Sequence, residues 1–237
     1  MNPLHWTPLD ERYEHPERTV GFYLLHLLRS FSPQECANSE YVVLFWTQFD
    51  VDAGCRDDPA TGLCVDLEDL DYEGEEKAHK LFLAGRLPFF RLDDDSLAVS
   101  EKGKLLFESS GLTGFSITRR LPVIGRHAGD VKAAYWHLDL PVVVPESAQT
   151  RWLGPDGNGY AGRWMPGAVL AHDGYHTFDR AALKTAGFPD LFRREPHVDP
   201  RDAHKRPNQF ILGSHRFFEF CKANKLKCDW EPVKLAD

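Results

Sequence analysis

No apolar run in this 237-residue chain approaches the roughly 20 residues that a membrane-spanning helix needs. The longest is Tyr41 to Trp46, and the next, Gly21 to Leu28, is interrupted by His26. A spanning helix is therefore not expected. The N-terminal Met1-Asn2-Pro3-Leu4-His5 lacks the basic region, apolar core and small-residue cleavage site of a secretory signal, so the expected location is cytoplasmic. The five cysteines, Cys36, Cys55, Cys64, Cys221 and Cys228, are odd in number and contain no CxxC pair, a usage that fits reduced thiols. Positive charge is also short. Lys and Arg number 28 against 36 Asp and Glu, a formal charge of −8, which argues against nucleic acid as a partner because phosphate counterions are replaced by a basic face.

Sequence motifs for chemistry are equally sparse. There is no GxSxG elbow, and the glycine-rich stretch 154–159 continues into Tyr160-Ala161 without the Lys-Ser/Thr of a phosphate loop, so it reads as a turn. Carboxylates alternate at Asp50 and Asp52, but Gly54 is fifth and Thr61 twelfth where a calcium loop needs Gly sixth and Glu twelfth. Residues 50–58 are accordingly expected to form a polar loop. His172 and His176 are four apart, a spacing that converges on a metal only from one helical face, and the intervening Asp173-Gly174-Tyr175 reads as a turn. No catalytic residue, metal or cofactor is expected. A metal-dependent hydrolase using His172 and His176 is the alternative from the enzyme class, and a structural or adaptor module is another.

What the chain has is enough apolar residue, 42%, to bury roughly 70% of its unfolded surface. Residues 41–49 are β-branched and aromatic and read as a central strand, and 136–144 read as a strand in which Pro141 marks an edge or bulge. Arg180 to Ala186 reads as a helix closed by Gly187, and residues 193–208 as a polar surface loop.

Two segments share one grammar 114 residues apart. In each an apolar strand runs into a serine, Ser100 or Ser214, placed to cap a helix N-terminus. Apolar residues follow at helical spacing, Leu105, Leu106 and Ser109 in one copy and Phe217, Phe220, Cys221 and Leu226 in the other, predicting one buried face in each. The helices are expected to end at Gly111 and near Asn224, and each unit closes on Pro-Val, at 122–123 and 232–233. Gly103 inside the first helix costs about 1 kcal/mol relative to alanine. The predicted fold is α+β: a mostly antiparallel sheet with a few short helices and two similar strand-helix-strand units. The expected organisation is one compact domain, 1–237, with pseudo-repeated halves at about 20–125 and 130–237.

Charge and aromatics mark two candidate surfaces. Residues 66–76 carry Asp66, Glu68, Asp69, Asp71, Glu73, Glu75 and Glu76, seven acidic side chains in eleven positions. Such a run is ordinarily a solvated face, but it can also meet a cationic partner, where complementarity raises association rates. Trp152, Tyr160, Trp164 and Tyr175 gather in a glycine-rich stretch and are candidates for a second contact, since aromatics are enriched in binding hot spots.

The final segment, Ile211-Leu212-Gly213-Ser214-His215-Arg216-Phe217-Phe218-Glu219-Phe220-Cys221 with Leu226, Trp230, Pro232 and Val233, resembles the C-terminal signature of cytoplasmic immunity proteins from bacterial polymorphic-toxin systems. Val99-Ser100-Glu101-Lys102 with Leu112-Thr113-Gly114-Phe115 looks like the same element, and Phe188 to Phe192 looks similar to the lead-in of such proteins. The resemblance covers residues 90–123 and 177–234. It implies an α+β protein that binds and neutralises one cognate protein toxin. From charge, apolar runs and motifs, no nucleic acid, membrane or cofactor is expected as a partner. A branch of those proteins carries paired CxxCG motifs, which this chain lacks.

Overall fold

The computed structural model describes residues 33–47, 50–51, 54–58, 62–66, 76–92, 96–125, 128–153, 159–161, 169–170, 175–195, 210–226 and 228–237. The fold is α+β, with short helices packed on several mainly antiparallel sheets. The first half runs α1 (Pro33–Ala37), β1 (Tyr41–Thr47), β2 (Asp50–Val51), β3 (Gly54–Asp58), β4 (Gly62–Asp66), α2 (Glu76–Leu83), β5 (Phe89–Leu92), β6 (Leu97–Ser100), α3 (Glu101–Glu108), β7 (Ser116–Leu121) and β8 (Val123–Ile124). After a 3-10 turn at Ala128–Asp130 come β9 (Tyr135–Asp139), β10 (Val143–Val144), β11 (Arg151–Leu153), β12 (Gly159–Ala161), β13 (Val169–Leu170) and β14 (Thr177–Asp179). The chain finishes with α4 (Arg180–Thr185), β15 (Leu191–Arg194), β16 (Ile211–Ser214), α5 (His215–Ala223), β17 (Cys228–Pro232) and β18 (Lys234–Ala236).

Two five-stranded sheets have the same construction, β2-β5-β6-β9-β7 and β10-β15-β16-β1-β17. In each a two-residue strand lies parallel to the next, and the remaining pairings are antiparallel. Tyr41 stands opposite Ser214 and Leu44 opposite Ile211, just as Tyr135 stands opposite Ser100 and Leu138 opposite Leu97. The edge strands β7 and β17 each carry one register break against their central strand. β8, which starts at the valine of the first Pro-Val step, runs parallel to β4, and β18, just past the second, runs parallel to β14. The two strand-helix-strand units read from the serines thus lie, among the described residues, in sheets of matching strand order.

The halves exchange their first strands. β1, from the first half, is central in the sheet built by β15, β16 and β17, whereas β9, from the second, is central in the sheet of β5, β6 and β7. Each five-stranded sheet therefore needs residues from both sides of the boundary near 125–130.

Both serines cap as expected: Ser100 Oγ accepts from Gly103 N at 3.3 Å and Ser214 Oγ from Phe217 N at 3.2 Å. Past the helix ends, Gly111 (φ +68°) and Lys225 (φ +55°), again 114 apart, take the left-handed conformation. Gly103 has a packing reason. A Cβ there would lie 1.7 Å from the Pro88 carbonyl oxygen, so the helix sits on this strand entry only without a side chain. Its counterpart is Phe217, and room for that ring comes from Gly213, whose Cβ would lie 2.4 Å from Phe217 Cδ1. Val99 with Gly103 in one copy and Gly213 with Phe217 in the other divide the same volume in opposite ways.

Between the sheets, Phe89, Phe107 and Phe217 pack with Leu44, Leu97, Leu138, Leu191 and Ile211, joining both halves in one core. On the outer side of the first sheet, Phe82 of α2 stacks on Tyr135 at 4.3 Å and meets Phe90 edge-on at 5.6 Å. The Tyr135 hydroxyl donates to the Phe82 carbonyl.

Four expectations need correction. Leu105 is 61% exposed, because Gly103 and Phe107 provide the buried stripe of α3. Residues 136–144 are two strands in different sheets, with Pro141 at the crossover between β9 and β10. Residues 50–58 contain β2 and β3, the latter paired with β4 despite its charges. Arg193 and Arg194 belong to β15 rather than to a loop.

Candidate functional site

Of the acidic run, Asp66 ends β4, its backbone opposite Gly54 and Ile124, and Glu76 opens α2. Glu68, Asp69, Asp71, Glu73 and Glu75 lie outside the described residues. Of the aromatic set, Trp152 in β11 is in backbone register with Tyr160 in β12 and with Leu170 in β13. Trp164 lies outside the described residues, and Tyr175 is half-buried under Lys234 Nζ, 3.9 Å from the ring centroid.

His172 also lies outside the described residues, whereas His176 is buried just before β14. Its Nδ1 lies 2.5 Å from Glu146 Oε1, and Glu146 Oε2 accepts from Arg194 Nη1 at 3.3 Å. The exposures of the three side chains, 4% for His176, 1% for Glu146 and 2% for Arg194, mark a polar cluster removed from water. Phe210 closes it, 4.0 Å below the Arg194 guanidinium and 5.1 Å from the His176 ring. Burial pulls Arg194 down to about 10, against the opposing pull of Glu146. Replacing one partner of such a pair strands the other charge, so Glu146→Ala is expected to cost about 3–5 kcal/mol. Denaturant titration checks this, and a midpoint within error of the parent would contradict it. Sequence reasoning missed this cluster by placing Arg194 in a loop. Among the described residues, no group of three or more His, Cys, Asp and Glu side chains is arranged to hold a metal ion.

A second polar centre joins the halves. Asp190, 4% exposed, accepts from Ser214 Oγ at 2.6 Å, Thr113 N at 2.9 Å, Thr113 Oγ1 at 3.2 Å and Arg216 Nη1 at 3.1 Å. Arg216 Nη2 also reaches the Gly111 carbonyl at 3.3 Å, and Leu191 N donates to the Thr113 carbonyl. The turn after α3 is thereby tied to the entry of β15 and the start of α5. Gly114 (φ +90°) is required here, since a Cβ would lie 2.0 Å from the Leu191 carbonyl oxygen. Every hydrogen-bonding group of Asp190 is engaged in structure. Ser214 itself both donates to Asp190 and caps α5.

Among the described residues Cys36, Cys64, Cys221 and Cys228 form no disulfide, and Cys36, Cys64 and Cys221 are buried. Burial, with Glu35 and Glu231 adding to it, pushes Cys36 up to about 11, and burial also raises Cys221. Among the described residues no helix is long and apolar enough to cross a membrane. Comparison of the chain with family models, with curated proteins and with solved structures finds no match in any of the three.

Proposed function

We propose that the chain is an immunity protein, which binds and neutralises one cognate secreted toxin in the cytoplasm by occluding the toxin's active site rather than by chemistry of its own. The observation that supports this reading is the role of the C-terminal signature in the fold. Ser214 caps α5, Arg216 reaches across to Asp190 and Gly111, and Phe217 fills the core between the sheets. The earlier copy, from Val99 to Phe115, supplies the other side of that joint through Gly111 and Thr113. The residues that carry the resemblance are thus a coherent structural unit rather than scattered identities.

The acidic run 66–76 is proposed to face a basic cleft on the toxin. The quadruple charge reversal Glu68→Lys, Asp69→Lys, Asp71→Lys and Glu73→Lys is expected to weaken the complex by about tenfold or more and to flatten its salt dependence. Unchanged affinity removes the acidic run from the interface. The function is tested by expressing the product of the adjacent open reading frame with and without this chain in one cell. Survival only on co-expression, with the two proteins recovered together, supports immunity; a harmless neighbour contradicts it.

A further inference from the structure

The two five-stranded sheets are covered differently at their edges. In the sheet of β1, α1 packs beside the edge strand β17: Cys36 Sγ donates to the Trp230 carbonyl at 3.4 Å and packs with Val42, Phe218 and Trp230. The equivalents in the sheet of β9 follow from register. Trp136 takes the place of Val42, each next to the tyrosine that pairs with a capping serine. Arg120, opposite Trp136, takes the place of Pro232, opposite Val42. Lys104, 114 residues before Phe218, takes its place on the helix.

Among the described residues no equivalent of α1 lies over this slot. Residues 128–133 stand where α1 stands in chain order, and they turn toward α2 instead. Val131 and Ala133 pack with the Phe82 and Tyr135 core, and Lys132 N donates to the Leu83 carbonyl. Among the described strands β7 has β9 as its one neighbour, and Ser116, Thr118, Arg119 and Arg120 are exposed along it. Lys104 Nζ lies 3.7 Å from the centroid of the half-buried Trp136 ring, whose Nε1 donates to Glu101 Oε2 at 2.8 Å. Lys104 also lies 4.0 Å from Glu108. Neither Arg119 nor Arg120 makes an ion pair among the described residues.

We propose that this slot is the docking site for an extended acidic segment of the protein partner, an assignment that rests on the immunity reading. The segment pairs with the edge of β7 opposite β9 and sets its carboxylates against Arg119, Arg120 and Lys104, with Trp136 as the floor. Trp and Arg are the side chains most enriched at binding hot spots. Charge selects the occupant. A second copy adding antiparallel through the same edge brings Arg119 and Arg120 toward their own images, and like charges across a strand pair repel. An acidic strand meets the same row with opposite sign.

The test uses the full chain and the purified product of the adjacent open reading frame, titrated at low and at moderate salt. Arg120→Glu with Lys104→Glu is expected to weaken binding by about tenfold or more and to reduce the salt dependence, while Lys184→Glu on α4 leaves it unchanged. A Trp136→Phe variant is expected to lose part of the fluorescence change that accompanies binding. Circular dichroism and the denaturation midpoint establish that each variant is folded, and Arg120→Gln provides a milder change at the same place. Binding by the parent and by all folded variants with equal affinity overturns the slot and leaves the immunity reading standing. Failure of the parent chain to bind overturns both.

Discussion

Gly103→Ala is expected to destabilise the protein by about 3 kcal/mol or more, although alanine is the better helix former. Helix propensity favours the substitution by about 1 kcal/mol, but the new methyl group would sit 1.7 Å from the Pro88 carbonyl oxygen. That oxygen also accepts from Ser100 N at 3.3 Å, so relieving the clash disturbs the strand entry and the helix cap together. Measured against a total stability of roughly 5–15 kcal/mol, the loss is a large fraction. Gly213→Ala meets a side chain instead, the Phe217 ring, and Phe217→Leu in the same chain is expected to restore part of the stability. Gly111→Ala is a contrasting case, with open space around it and only its φ of +68° to oppose a side chain, at about 1 kcal/mol. Thermal or denaturant unfolding ranks the three. Equal stability of Gly103→Ala and the parent would contradict the packing described here.

Cutting the chain between β8 and β9 is expected to leave two fragments that do not fold separately and that recover structure when mixed. Each fragment carries the first strand of the other's sheet: the N-terminal one lacks β9 between β6 and β7, and the C-terminal one lacks β1 between β16 and β17. A sheet without its central strand has two unsatisfied rows of backbone groups and exposes the residues that β1 and β9 cover. Leu44 and Leu138 both contribute to the core shared by the halves, so neither fragment can close it alone. Circular dichroism of the separate and mixed fragments reads the outcome. Cooperative unfolding of either fragment alone would contradict the exchange.

The elements legible in the sequence were those set by local chemistry. A serine before an amphipathic run specifies a cap with little help from the rest of the chain, and Ser100 and Ser214 act accordingly. The β-branched and aromatic residues of β1 announced a central strand, which it is, in a sheet whose other strands are remote in sequence. The exchange itself leaves no local trace, because pairing partners such as Tyr41 with Ser214 are chosen by topology. A further echo is visible once the sheets are known: Ala84-Gly85 and Phe90-Arg91 recur 102 residues later as Ala186-Gly187 and Phe192-Arg193. Aligning it would have assigned β15 and withdrawn Arg194 from the loop.

The two-residue strands β2 and β10 are too short to show any period, and the charges of β3 disguised a strand that pairs with β4. The candidate site was legible only in part. His176 stands out in the sequence by its spacing from His172, but its partners Glu146 and Arg194 come from elsewhere in the chain and converge only in the fold. The slot beside β7 depends on comparing Trp136, Lys104 and Arg120 with Val42, Phe218 and Pro232, a comparison that requires the register of both sheets.

The proposed neutralisation by stoichiometric occlusion is tested by titrating the activity of the purified adjacent gene product against this chain. The activity is expected to fall linearly and to reach its floor at one chain per toxin, because a blocking protein is consumed as it binds. Persistent activity at excess, or complete loss of activity at a small fraction of one equivalent, would contradict the account, the latter by indicating turnover rather than binding.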